Sequence, residues 1–338
     1  MRGFLALLCC LALARHGSCF TIDSTTKSVS ATVMDLLLSC RFDTSFALLD
    51  SLENADKHEP LWPLLRLSGI ILKELDHDSV DDSACAGAAF ERVQAGAAVA
   101  LQRGDSSYGY TMEGLAGGAY AAGLLRRGRY APGVRHGLAA LDMLRTAEQI
   151  DPDNTDAGLL LGMYNCGKAE LRRRFRWILF WYPGTIDKGI QQLRDCRHSA
   201  RVASTAAGYA LAEIYIREER FGEASALLDT LRTRHPSGRF LIWTEARYFS
   251  GTEDFDAAAA MYRRLYRMYR RIPRARRSAA ATLYHTADCL CRAGKFEQAV
   301  EACRRLLAAY PPADDPRMRE IVRDTHSLLK EARDNACD

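Results

Sequence analysis

After its first twenty residues the sequence holds no apolar run approaching the ~20 residues that a membrane-spanning helix needs. It shows no sustained alternation of apolar and polar positions, which excludes half-buried strands and points to an all-α chain. It lacks a paired C-x-x-C, so the zinc-site reading of its cysteines has no support. Charge of one sign is also scarce, because the formal net charge is only +4, too little by itself to argue for a nucleic-acid partner.

Catalytic and metal constellations are missing as well. GDSSYGY, Gly104 to Tyr110, superficially resembles a serine-hydrolase block, but no strand precedes it. Such a block needs an Asp-x-x-His downstream, and Asp324-Thr325-His326 has the wrong spacing for it and falls in a helical stretch. Cys289-x-Cys291 with Cys303 does not match metal-ligand spacing, and DHDSVDD, Asp76 to Asp82, lacks the glycine and final glutamate of a calcium loop. The simplest reading is a packed thiol in the first case and a solvated turn in the second. The sequence therefore implies no enzyme, cofactor or metal, and it carries no signal for an oligomeric state.

What is present begins at the N-terminus. Arg2, an apolar run from Phe4 to Ala14, and Ala12-Leu13-Ala14 as a cleavage site have the form of a secretory signal over residues 1–18. Cleavage after Ala14 takes the formal charge from +4 to +3, since Arg2 leaves, and loss of all of residues 1–18 takes it to +2, since Arg15 leaves as well. An exported protein, periplasmic or envelope-associated, is the expectation. Cys19 after Gly17-Ser18 offers a point for lipid attachment, although His16 stands where lipoproteins carry leucine. The cysteines left after Cys9 and Cys10 depart are scattered, odd in number and read as small buried groups in helix interfaces.

A period then emerges. Thr205 to Pro236 aligned over Ala280 to Pro311 places Ala212 and Ala287 at position 8, Phe221 and Phe296 at 17, Ala224 and Ala299 at 20, Leu231 and Leu306 at 27, and proline at 32. A third copy starts at Arg239, with Ala246, Phe255, Ala258, Tyr262 and Leu265 in the same frame and a prolonged second helix ending before Pro273. Small residues at 8 and 20 let two antiparallel helices approach, and the large ones fill the space to the next hairpin. Earlier in the chain Phe42 and Ser45 take positions 17 and 20 of a looser copy. Helix pairs follow at 61–75 with 84–101, at 108–126 with 133–150, and at 156–174 with a helix from about 185.

This pattern resembles the tetratricopeptide repeat, a 34-residue helix-turn-helix. The resemblance implies a tetratricopeptide-type α-solenoid of about six or seven hairpins. Its expected layout is a signal over 1–18, divergent hairpins over 19–153, a hairpin with an insertion over 154–200, regular repeats over 201–312, and a capping helix over 313–338. A helix ending in GMYN, an apolar insertion closing on Trp181-Tyr182-Pro183-Gly184, and the KGI helix after it are similar to a group of uncharacterised exported bacterial tetratricopeptide-repeat proteins. More distantly they resemble a eukaryotic repeat family associated with lipid droplets and organelle membranes. Neither resemblance supplies a catalytic residue.

Three features are candidate sites. Repeat geometry implies that exposed helix-A positions near 2, 5, 9 and 12 form a concave surface for a protein or peptide partner, and these include Tyr209, Glu213, Ile216, Trp243, Arg247, Tyr284 and Asp288. The insertion joins Arg172, Arg173 and Arg176 to Trp177, Trp181 and Tyr182. Export argues against nucleic acid for it, burial of so apolar a loop favours packing, and a foot on an anionic membrane is the alternative, which would make the protein an envelope tether. Finally, Arg263, Arg267, Arg270, Arg271 and Arg274 share one side of a helix, as a solvated face or as a surface for phosphate or an acidic partner.

Overall fold

A computed structural model describes residues 22–80, 82–174, 186–312 and 315–336. Fifteen α-helices and two short 3-10 turns account for most of these residues, with no strand among them. In chain order the helices are α1 (Ser24–Leu38), α2 (Phe42–Ala55), α3 (Leu61–His77), α4 (Ser83–Gln102), α5 (Ser106–Arg126), α6 (Tyr130–Ile150), α7 (Gly158–Arg174) and α8 (Ile186–Ser199). Then follow α9 (Ser204–Arg217), α10 (Phe221–Arg234), α11 (Arg239–Gly251), α12 (Phe255–Tyr269), α13 (Arg276–Arg292), α14 (Phe296–Ala309) and α15 (Pro316–Ala336). Most packing is between neighbours in sequence, as in stacked helical hairpins.

The chain forms two compact units. One holds Met1–Leu36, Phe42–Ile71 and Asp82–Ala210, and the other Leu37–Arg41, Leu72–Asp81 and Leu211–Asp338. The second unit thus contains two short pieces from early in the chain.

The hairpin turns have one backbone solution. Cys40, Glu219, Glu253 and Gly294 stand two residues before the helix that opens at Phe42, Phe221, Phe255 or Phe296, and all four have positive φ, between 56° and 71°. The left-handed residue stops the first helix and lets a following N–H reach back, as in Arg220 N–H to Tyr215 O at 2.8 Å and Lys295 N–H to Leu290 O at 2.8 Å. Only one of the four is glycine, so the turn is set by the helices on either side and not by glycine alone.

In the second unit the repeat frame becomes the core. Ala212, Ala224, Ala246, Ala258, Ala287 and Ala299 are all completely buried, with Leu231, Leu265 and Leu306 filling the spaces they leave. Cys303 is completely buried in the same layer, as its place in the frame implies. The last helix closes this core with Met318, Val322, Leu328 and Leu329, while Asp315 caps it by accepting the Arg317 N–H at 3.0 Å.

The first unit packs differently. A methyl placed on Gly114 of α5 would lie 2.6 Å from Leu144 Cγ of α6. One on Gly189 of α8 would lie 2.4 Å from Cys166 Sγ and 2.7 Å from the Gly162 carbonyl of α7. These helices touch backbone to backbone. Charge adds a second tie, since Arg66 of α3 reaches Asp50 at 2.6 Å and Glu53 at 2.8 Å on α2, and Arg92 of α4 reaches Glu53 at 2.6 Å.

Candidate functional site

The helices α9, α11 and α13 are the first helices of the three regular repeats, and their shared frame aligns side chains into rows. Position 5 gives Tyr209, Trp243 and Tyr284; position 9 gives Glu213, Arg247 and Asp288; position 12 gives Ile216. Arg247 is exposed and the other six are half-buried. Tyr209 lies on the part of α9 that belongs to the first unit, and the rest lie in the second.

The structure brings several of these together. Arg247 Nη2 meets Glu213 Oε1 at 2.5 Å, one repeat period away, and its guanidinium sits 5.9 Å from the Trp243 ring centroid. Thr244 donates its hydroxyl to the same Glu213 oxygen. Trp243 meets Tyr262 edge-on at 5.4 Å and His285 edge-on at 5.7 Å, and His285 stacks on Tyr262 at 5.0 Å while touching Tyr284 at 5.5 Å. Burial and then the Arg247 charge push the His285 imidazole down to about 4, so it is neutral at physiological pH. Burial pushes the Tyr262 phenol up to about 12, with Arg247 opposing it. Asp288 is raised by burial against the pull of Arg292.

Trp243 is held from below by a polar network absent from the repeat frame. Its Nε1–H donates to Tyr269 Oη at 2.9 Å, and that hydroxyl donates to Asp76 Oδ1 at 2.8 Å. Arg239 grips the same carboxylate with Nε at 2.9 and 3.0 Å and with Nη2, while Ser278 donates to the Asp76 carbonyl at 2.7 Å. The Asp76 side chain is wholly buried and that of Arg239 nearly so. Burial works against the Arg239 charge, but the Asp76 hydrogen bond and charge outweigh it and hold the guanidinium above its usual range. DHDSVDD is therefore not simply the solvated turn that its composition suggests. Asp76 closes a buried ion pair, and Asp78 meets Arg317 at 2.6 Å.

Arg317 also borders a cavity of about 310 Å3, with Asp78, Ala281, Tyr284, His285, Glu320, Ile321 and Asp324 around it. Tyr284 and His285 supply an aromatic wall from α13, and Glu320 and Asp324 an acidic rim from α15. Of these only Tyr284 was legible as a site residue from the repeat frame. Extending the frame one helix further, onto the capping segment, would have exposed the α15 contribution.

The other candidates fall out as follows. Arg263, Arg267, Arg270, Arg271 and Arg274 are all exposed, but they do not share one helix face. Only Arg263 and Arg267 lie within α12, which ends at Tyr269, while Arg270 caps it, Arg271 is in the turn and Arg274 is in the following 3-10 turn. Arg172 is half-buried and Arg173 exposed at the end of α7, whereas Arg176, Trp177, Trp181 and Tyr182 lie outside the described residues. So do residues 1–18 and Cys19. Ser107, the serine of GDSSYGY, is buried in α5, donating to Ala147 O at 3.2 Å and accepting from Asn154 at 3.0 Å. Cys166, Cys196, Cys289 and Cys303 are buried free thiols, and burial raises Cys196, Cys289 and Cys303.

Residues 243–314 match the tetratricopeptide repeat family model. No curated protein matches the chain. A solved structure, the crystal structure of the P58(IPK) TPR domain, is similar at 14% identity, with 89% of this chain and 97% of that chain covered and a TM-score of 0.27. The described residues are all-α, and within them residues 243–314 carry tetratricopeptide-type helical hairpins followed by a C-terminal helix. Stacked hairpins of this class are protein-interaction scaffolds in general, because the stacking exposes a continuous binding surface.

Proposed function

We propose that the protein is an exported, non-enzymatic adaptor that holds a peptide segment of a partner on the helix-A face of its second unit. The observation that carries this is the row of Trp243, His285 and Tyr284 leading into the 310 Å3 cavity beside α15. Aromatic walls give contact area at low entropic cost. Around the cavity Asp78, Glu320 and Asp324 outnumber Arg317, so the rim favours a cation. The chemistry fits a segment carrying an apolar side chain next to lysine or arginine. Arg247, already paired with Glu213, lies beside Trp243 as a further polar contact.

A random peptide library displayed against the immobilised protein tests this. Enriched sequences should share an apolar residue beside a basic one, and their affinity should fall at least tenfold in Tyr284→Ala and in Asp324→Lys. A library with no enrichment, or enriched peptides that bind Tyr284→Ala as well as the native protein, would remove this face as the binding site.

A further inference from the structure

The arginine-rich stretch that runs from α12 through the turn after it into α13 is not accounted for by the helix-A face. From Ala257 to Ala287 the sequence contains no Asp or Glu, yet it carries eight arginines. Three of them are engaged: Arg264 donates to the Pro236 carbonyl at 3.1 Å, Arg277 pairs with Asp315 at 2.8 Å, and Arg276 lies 6.0 Å from the Tyr310 ring. Arg263 meets only an amide, Gln298 Oε1 at 3.0 Å. Among the described residues no carboxylate pairs with Arg263, Arg267, Arg270, Arg271 or Arg274. Elsewhere exposed or half-exposed arginines such as Arg92, Arg220, Arg232 and Arg247 do find one. Like charges held together without counterions repel, so a surface of this kind is one that a partner of opposite sign relieves.

Geometry narrows that partner. Arg263, Arg267 and Arg270 form one wall of a groove of about 670 Å3 between α12 and α14, with Ala260 and Tyr266 beside them. Leu283, Thr286 and Leu290 of α13 form its floor, and Ala302, Arg305, Glu297 and Glu301 form the far wall. These α13 residues point to the opposite side of the helix from Tyr284 and Asp288, so the groove is separate from the helix-A surface. Glu297 and Glu301 form no ion pair with the α12 arginines. Arg263 bridges the walls at one point through Gln298 of α14 at 3.0 Å, but among the described residues no ion pair joins them, so a guest carrying carboxylates would supply the complementarity that the groove lacks.

We propose that this groove docks an amphipathic helix of a partner protein that is acidic along one edge and apolar beneath. Its carboxylates would take the guanidiniums of Arg263, Arg267 and Arg270, with charge-assisted and bidentate bonds available to each. Its apolar edge would rest on Tyr266, Ala260 and Ala302 over the leucine floor. Glu297 and Glu301 set the polarity, since an edge acidic on both sides would meet repulsion at α14. A phosphate or a flat anionic membrane would use the arginine row and leave the groove floor untouched, which makes those two sources distinguishable from a helix.

The test is fluorescence anisotropy with a labelled peptide of about four helical turns, with leucines at i, i+3, i+4 and i+7 and glutamates along one flank. The expected result is saturable binding that weakens with salt and shifts the methyl resonances of Leu283 and Leu290. Affinity should fall tenfold or more in Arg263→Glu/Arg267→Glu/Arg270→Glu, and by less than about threefold in Arg271→Glu/Arg274→Glu, which lies outside the groove. Ala260→Trp, which fills the groove without changing its charge, should also abolish binding and guards against a folding defect in the charge-reversed protein. Absence of binding, equal loss in the two charge variants, or equal affinity for a scrambled peptide of the same composition would each overturn the proposal. Flotation with phosphatidylserine vesicles, lost in the triple variant while the peptide is ignored, would overturn it in favour of a lipid surface.

Discussion

The first unit brings its helices together by removing side chains, and the second by fixing the place of small ones. Where α7 crosses α8, Gly162 and Gly189 face each other's carbonyls with no space for a Cβ. In the second unit the alanines at positions 8 and 20 keep their Cβ, and large residues at set intervals interlock around them. The glycine contact is close but leaves little side-chain surface, and so little pattern in the sequence. The alanine frame is looser and recurs, and it can repeat along a stack. The second unit also holds a buried ion pair between distant parts of the chain, with Asp76 and Arg239 separated by 163 residues.

That ion pair is the sharpest way to break the comparison. Asp76→Ala would leave the Arg239 guanidinium buried without its carboxylate, at a cost of about 3–5 kcal/mol. Glu223→Ala, which cuts an exposed pair with Arg220 in the same unit, should cost no more than about 1 kcal/mol. Urea unfolding followed by circular dichroism measures both. Removing Arg239 together with Asp76 should cost less than the sum of the single changes, because neither charge is then stranded. Equal midpoints for Asp76→Ala and Glu223→Ala would show that the pair holds nothing.

The contrast also explains what could be read from the chain. Positions 8, 17, 20 and 27 were legible because each repeat imposes the same packing on the same spacing, and Ala246, Ala258, Phe255 and Leu265 obey it without exception. Ser45 fits the frame at position 20 and is completely buried, though its hydroxyl has no partner, a detail the alignment could not show. Asp76 was misread because its turn is acidic, and acidic turns are ordinarily wet. Its partners Arg239, Tyr269 and Ser278 lie far along the sequence, so no local window contains the reason for its burial. The cavity was half legible for the same reason: Tyr284 follows from the frame, whereas Arg317 and Asp324 depend on how the capping helix docks.

A smaller effect sharpens the first unit's side. Gly189→Ala would put a methyl against the backbone of α7, which cannot rotate away, and should destabilise by about 2–3 kcal/mol. Gly167 occupies the middle of α7 with nothing within 4 Å of its missing Cβ. There the same substitution should stabilise by about 1 kcal/mol, through helix propensity alone. Thermal melts of the two variants therefore move in opposite directions. Two shifts of the same sign would mean that α7 and α8 do not meet through their glycines.

The last effect separates the units by pH. His285, in the second unit, is held to about 4 against an ordinary value of 6.5 by burial and by Arg247. Between those values the unfolded chain binds a proton that the folded chain does not, so stability rises with pH through the window. It is fully present above about 6.5 and is lost as the pH falls towards 4, by on the order of 2 kcal/mol once solvent screening of a ring that is not fully enclosed is allowed for. His285→Phe should remove this acid sensitivity. Arg247→Gln should shrink it, because the guanidinium is one of the two forces keeping the imidazole neutral. Hydrogen exchange between pH 6.5 and 4, corrected for intrinsic rates, should then show protection falling in α11 to α14 ahead of α5 to α8. Were α5 to α8 to loosen first, and equally in His285→Phe, the acid response would belong to the glycine-packed helices, and the aromatic row beside the proposed binding face would have no part in it.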